Sequence, residues 1–169
     1  MGYEGGKVAV GNGVKNGLCI NQIAANPVLE LRCKGYIEAV TEAGGTAKMV
    51  TLASEDIGNS QKVQAAVSAM LMQDQTIDGV ITLGVAVAVD ALESIRAVRA
   101  TGRSVDLGTM DLGNTVLEAI EAGEMSFASD QQPFLQGYYG VPIPHLSNKY
   151  QMAPSNAVWA GPSPVPTPN

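Results

Sequence analysis

A chain of 169 residues is long enough for one domain with its own core. Apolar residues make up 46% and charged residues only 15%, which excludes a disordered chain, because disorder needs low hydrophobicity and high net charge. A formal net charge of −6 excludes a nucleic-acid surface built on a basic stripe, and the sequence holds no run of about 18 uncharged apolar residues that would span a bilayer.

The N-terminal segment MGYEGGKVAV lacks the basic and apolar regions of a secretory signal; taken alone, it reads as a cytoplasmic, mature or truncated chain. Residues 1–16 carry a weak helical pattern diluted by Gly5, Gly6, Gly11 and Gly13. GLCIN (17–21) follows as a buried strand. Asn26-Pro27 then supplies a cap and a proline at the first helical position, opening a helix through PVLELRCKGYIEAVTEAG. Leu29, Cys33, Tyr36, Ile37 and Val40 recur there at three- and four-residue steps, and Gly44-Gly45 ends the run. TAKMVTL (46–52) is the second strand, and the polar loop ASEDIGNS leads into a helix from Gln61 to Gln73.

DGVITLG (78–84) is a third strand without charge in its interior, and VAVAVDALESIRAVRATG is a helix stopped by Gly102. SVDLGTMDLG (104–113) is the fourth strand, NTVLEAIEAG a short helix capped by Asn114, and MSFAS (125–129) the fifth strand. About five strands alternating with helices predict an α/β, doubly wound, flavodoxin-like parallel sheet with helices on both faces. Strands buried on both sides explain their uniform apolarity. Beyond Gly140 the pattern dissolves into VPIPHLSNKYQMAPSN and the tail AGPSPVPTPN, which holds four of the nine prolines and is unfit for a helix or a central strand. The chain divides accordingly into 1–140 and 141–169. Cys19 falls in a strand and Cys33 in a helix; without C-x-x-C spacing or a partner cluster they read as two buried free thiols rather than as a disulfide or metal ligands.

In an open parallel sheet the ligand crevice lies beyond the carboxyl ends of the strands. Those ends are Asn21-Gln22, Ser54-Glu55-Asp56, Gly84, Asp111 and Asp130-Gln131-Gln132, with Arg32 on the first long helix within reach of the same rim. Amides, carboxylates and one guanidinium are fixed hydrogen-bond donors and acceptors, and they suit neighbouring hydroxyls: a sugar or polyol rather than an anion or nucleotide. The single histidine, His145, lies in the irregular C-terminal segment, so no nucleophile–base pair forms. DGVITLGVAVAV holds neither G-x-G-x-x-G nor G-K-[ST], and Glu55-Asp56 and Asp130 lack the spacing of a calcium loop. No enzyme, metal or cofactor is expected.

The ordered set CINQIAANPVLELRCKGYIEAVTEAGGTAKMV, IDGVITLG, GTMDLG and FASDQQPFLQGYYGV resembles the type I periplasmic sugar-binding proteins, the ribose-binding-protein and LacI-like family that serves ABC importers. The resemblance implies two doubly wound lobes joined by three crossing segments, with a sugar clamped between them. It makes this chain the C-terminal lobe alone, without the N-terminal lobe or its signal peptide, and periplasmic in its parent family. It implies that Arg32 bonds sugar hydroxyls, that Asp111 holds a hydroxyl pair and that Gln131, beside Asp130, faces ligand at the hinge.

Two positions depart from the family pattern. Gly84 stands where ribose binders carry an asparagine, and Ile57-Gly58-Asn59 stands where they place a stacking aromatic. Ribose is therefore disfavoured against another sugar or a cyclitol, with Asn59 and Gly84 completing the candidate site. Partners implied are the N-terminal lobe and an ABC permease. PFLQGYYGVPIP would pack on that lobe; without it Phe134, Leu135, Tyr138, Tyr139 and Val141 lose their cover, and a homodimer through 133–141 is expected. The alternative is the effector lobe of a LacI-type regulator, which would need a helix-turn-helix upstream.

Overall fold

Five apolar runs lie side by side and point the same way. The computed structural model describes residues 1–154 and 163–166. Its strands are β1 (Asn16–Asn21), β2 (Thr46–Thr51), β3 (Gly79–Thr82), β4 (Asp106–Met110), β5 (Phe127–Asp130) and β6 (Ser163–Pro166). Its helices are α1 (Gly2–Gly11), α2 (Pro27–Glu42), α3 (Ser60–Gln73), α4 (Val85–Arg99), α5 (Asn114–Glu121), α6 (Pro133–Gly140) and α7 (Pro142–Tyr150). The sheet order is β2-β1-β3-β4-β5-β6; the first five strands are parallel and β6 is antiparallel to β5. This is the doubly wound α/β lobe that the alternating pattern predicts.

β1, β3, β4 and β5 bury both faces, which is why they read as continuous apolar runs, whereas β2 at the sheet edge has no fully buried residue. Leu18, Ile20, Val80 and Leu107 pack under α3, α4 and α5, against Val67, Leu71, Ile95 and Ile120 among others. Cys19, Ile81, Met110 and Phe127 form the opposite face, covered by Ala9 of α1 and by Cys33, Tyr36 and Val40 of α2.

Local propensity and structure part company at both ends. The glycine-rich start is a full helix, α1. A Cβ on Gly6 would stand 2.6 Å from the Ala39 Cβ, and one on Gly35 would stand 2.7 Å from the Tyr3 nitrogen. These glycines cost helix propensity but let α1 and α2 meet backbone to backbone, so tertiary packing decides the outcome. At the other end, 141–150 is not irregular: α7 begins at Pro142, where a first-turn proline has no bonded N–H to lose, and it carries His145. In α5 the cap is Gly113, with Asn114 already the first helical residue. Of the proline-rich tail, 163–166 pairs at the sheet edge, the position open to residues that cannot donate to a ladder; residues 155–162 and 167–169 lie outside the described residues.

The cysteines correct the sequence expectation most clearly. Cys19 and Cys33 are not free thiols but a disulfide, with Cα atoms 5.5 Å apart. The crossover from β1 lays α2 back over its own strand, so the two buried side chains meet on one face, a juxtaposition that a 14-residue separation does not announce. Closing a loop of this length contributes about 3 kcal/mol. The double variant Cys19→Ala, Cys33→Ala should therefore melt roughly 6–12 °C lower by calorimetry, and an unchanged melting point would remove the disulfide from the stability of the lobe.

Candidate functional site

Parallel strands deliver their carboxyl ends to one edge of the sheet, and the polar residues gather there. α2 brings Arg32 to that edge. Asn26 caps the helix, its side-chain oxygen accepting from the amides of Val28 at 3.0 Å and Leu29 at 3.2 Å, and the disulfide fixes the next residue, Cys33, to β1. Arg32 thus lies between a capped first turn and a neighbour tied to β1. Asp111 follows directly on β4 and its amide donates to the Ser129 carbonyl at 3.0 Å, while β5 ends in Asp130 with Gln131 next in the chain.

Three of the sequence candidates form one hydrogen-bonded chain. Nη2 of Arg32 donates to Oε1 of Gln131 at 2.7 Å, and Nε2 of Gln131 donates to Oδ1 of Asp111. A guanidinium, an amide and a carboxylate from three elements are thereby set in a row, all half-buried. Asp130 belongs to the same cluster: its Oδ1 accepts from the Gln132 amide at 2.8 Å and shapes the exit from β5. Asp111 (φ +70°) and Gln132 (φ +52°) both sit in the left-handed region, a strain that the surrounding bonds must hold in place. Asp111, Leu112, Asp130, Gln131, Pro133 and Gln136 line a cavity of about 360 Å³.

The other two candidates lie outside that chain. Asn59 is exposed and caps α3, its Oδ1 accepting from the Lys62 amide at 3.2 Å. Gly84 is buried at the start of α4, beyond the end of β3.

Other contributors go unannounced in the sequence. Gln136 of α6 donates from Nε2 to the Gln131 carbonyl at 2.5 Å, bracing the residue at the centre of the chain. Behind the rim the Thr82 hydroxyl donates to the Thr109 hydroxyl at 2.7 Å, tying the ends of β3 and β4 together. The hydrophilic character of these residues was visible, but nothing in their spacing assigns a partner.

A larger cleft, about 540 Å³, opens at the opposite edge of the sheet between Asn12, Asp78, Arg99, Ser104 and Asp106. Its charged groups are spent on the fold. Asp78 accepts from the amides of Lys15 and Asn16, Asp106 accepts from Ser126 and Asn12, and Arg99 donates to the carbonyls of Val105 and Glu124. Burial pushes the Asp106 carboxyl up from its ordinary value, with the bonds from Ser126 and Asn12 pulling the other way. The rim that holds Arg32, Gln131 and Asp111 is the better site, because Asp111, Asp130 and Gln131 line a cavity at the carboxyl ends of the strands, where ligands of open parallel sheets settle. Among the described residues there is no cluster of metal-ligating side chains.

Residues 2–143 match the periplasmic binding protein domain family. Among solved structures the chain is similar to a carbohydrate transporter from Acidothermus cellulolyticus 11B in complex with myo-inositol, with 30% identity, a TM-score of 0.81, and coverage of 98% of this chain and 56% of that one. It is similar in fold to a periplasmic solute-binding protein of an ABC transporter from Actinobacillus succinogenes 130z with bound D-allose, with 20% identity, a TM-score of 0.77 and coverage of 98% and 57%. A glucose-galactose binding protein from Geobacillus stearothermophilus shares the fold at 14% identity and a TM-score of 0.79, with coverage of 98% and 59%. The chain thus spans somewhat over half the length of these structures. No curated protein matches it significantly.

Proposed function

The chain belongs to the periplasmic binding protein domain family, and from that premise we propose that it is a solute-binding lobe of an ABC importer, recognising a sugar or cyclitol without catalysing a reaction. The observation that carries the proposal is the chain Arg32–Gln131–Asp111 at the strand ends, with Gln131 and Asp111 lining the cavity there. Arg32 donates to ring hydroxyl oxygens, the Asp111 carboxylate accepts from a pair of hydroxyls, and the Gln131 amide does both. Asp130 adds a second carboxylate, and Asn59 and Gly84 bound the site from the β2 and β3 ends. One guanidinium against two carboxylates disfavours an anion, so a neutral polyol fits the balance of charge. The similarity at 30% identity to a protein holding myo-inositol supports a cyclitol over ribose. The same similarities favour a transport lobe over a LacI-type effector lobe.

In an intact protein the partners would be an N-terminal lobe and the permease. A periplasmic location agrees with the family and with the disulfide, since such bonds persist in oxidising compartments. Among the described residues no helix is long and apolar enough to cross a membrane.

Binding stabilises the folded state by RT ln(1 + [L]/Kd), so myo-inositol at ten times its dissociation constant contributes about 1.4 kcal/mol and should raise the melting point by roughly 3–6 °C. Asp111→Ala should abolish the rise while keeping the fold. No shift with myo-inositol, D-allose or D-ribose at millimolar concentration would contradict a polyol site on this lobe.

The segment 133–141 carries the second half of the proposal. Phe134 is 78% exposed and Tyr138 60% on α6, and Val141, just past its end, is 74% exposed, an uncovered apolar face beside the rim, while Leu135 and Tyr139 are half-buried. Burying such surface is worth about 25 cal/mol per Å², which favours a second copy as its cover. Sedimentation at micromolar concentration should give a dimer that Phe134→Glu dissociates; a monomer would contradict it.

A further inference from the structure

We propose that Gln22 is a specificity-determining residue of the polyol cleft, its side-chain amide occupying the space that Gly84 leaves open; this rests on the solute-binding function proposed above. β1 and β3 are neighbours in register, the pairing running Gly17 with Gly79 to Ile20 with Thr82, and two residues further on stand Gln22 and Gly84. From β1 the chain winds outward to β2, and from β3 it winds the other way to β4 and β5, so this pair straddles the point where the sheet order reverses. In open α/β sheets that switch point is where ligands settle.

The contact between the two residues is specific. A Cβ on Gly84 would stand 2.6 Å from Nε2 of Gln22, 3.5 Å from Cδ and 3.6 Å from Oε1, so the whole amide lies over the glycine and any larger residue would displace it. Two polar atoms at this spot are buried without a hydrogen-bond partner among the described residues: Oε1 of Gln22 and Nδ2 of Asn21, the latter on a side chain with no exposure at all. Buried polar groups are nearly always paired, and one left unpaired is costly unless a ligand takes it up. Asn21 spends its Oδ1 on the Ile23 amide at 3.0 Å, which keeps its own Nδ2 pointed away from that turn. A primary amide donates and accepts at once, so Gln22 matches a neutral hydroxyl and offers nothing extra to an anion. The sequence places an amide next to strand one and a glycine after strand three; only the fold makes them a pair.

The test is calorimetric titration of the 169-residue chain with myo-inositol and with D-allose. Gln22→Ala and Gly84→Ala should each weaken myo-inositol about tenfold, the loss of one hydrogen bond, and should change the ratio of the two affinities. The double variant should be no weaker than either single one, because the glycine matters only through the amide above it. Thermal melts of each variant separate a binding loss from a folding loss; if Gly84→Ala does not fold, Gln22→Ala and Gln22→Glu carry the test through the affinity ratio. Gln22→Ala within twofold of the wild-type affinity and ratio, while Asp111→Ala loses binding, overturns the role of Gln22 and leaves the polyol cleft standing. Fully additive losses in the double variant also overturn it. No binding of either probe to the wild-type chain overturns the cleft, and this role with it.

Discussion

Parallel pairing of central strands buried on both faces is the constraint from which the other features follow. A polar side chain along such a strand is buried and needs a partner there, as the Thr82 and Thr109 hydroxyls find in each other. Parallel direction then sends every carboxyl end to one edge, so Asn21, Gly84, Asp111 and Gln131 arrive together although they are scattered over more than a hundred residues of sequence. Chemistry collects at that edge because it is the one place where the core ends and the chain is free to turn. The opposite edge also has polar residues, but there they stitch strands and loops together, and their hydrogen-bonding capacity goes to the fold.

The rim is held more tightly than strand ends alone would hold it. A capped helix start and the Cys19–Cys33 bond fix the helix that carries Arg32, and Gln136 braces Gln131 from α6. The left-handed conformations of Asp111 and Gln132 are the residue of this arrangement: each turns a side chain or the chain itself at the point where a strand stops. Preorganisation of this kind lowers the cost of ordering side chains when a solute binds.

Much of this was legible in the sequence, for physical reasons. The central strands could be read because two-sided burial leaves an uninterrupted apolar run, and the polar edge could be read because strand ends are where such runs stop. Arg32, Asp111, Asp130 and Gln131 were identifiable as rim residues on that basis. The linkage of three of them into one chain was not, since hydrogen-bond partners depend on side-chain directions that spacing does not encode. α1 and α7 were obscured because glycine and proline report local preference, whereas close packing on α2 and a first-turn proline decide those helices. The disulfide stayed hidden because its two cysteines meet through a crossover rather than through a short motif.

The most direct test of the central claim is a crystal structure of the chain with myo-inositol. A ring at the strand ends, with hydroxyl oxygens about 3 Å from the Arg32 guanidinium and the Asp111 carboxylate, is the predicted result. A ring found in the cleft between Asp78 and Asp106 at the opposite edge, with the rim empty, would contradict it.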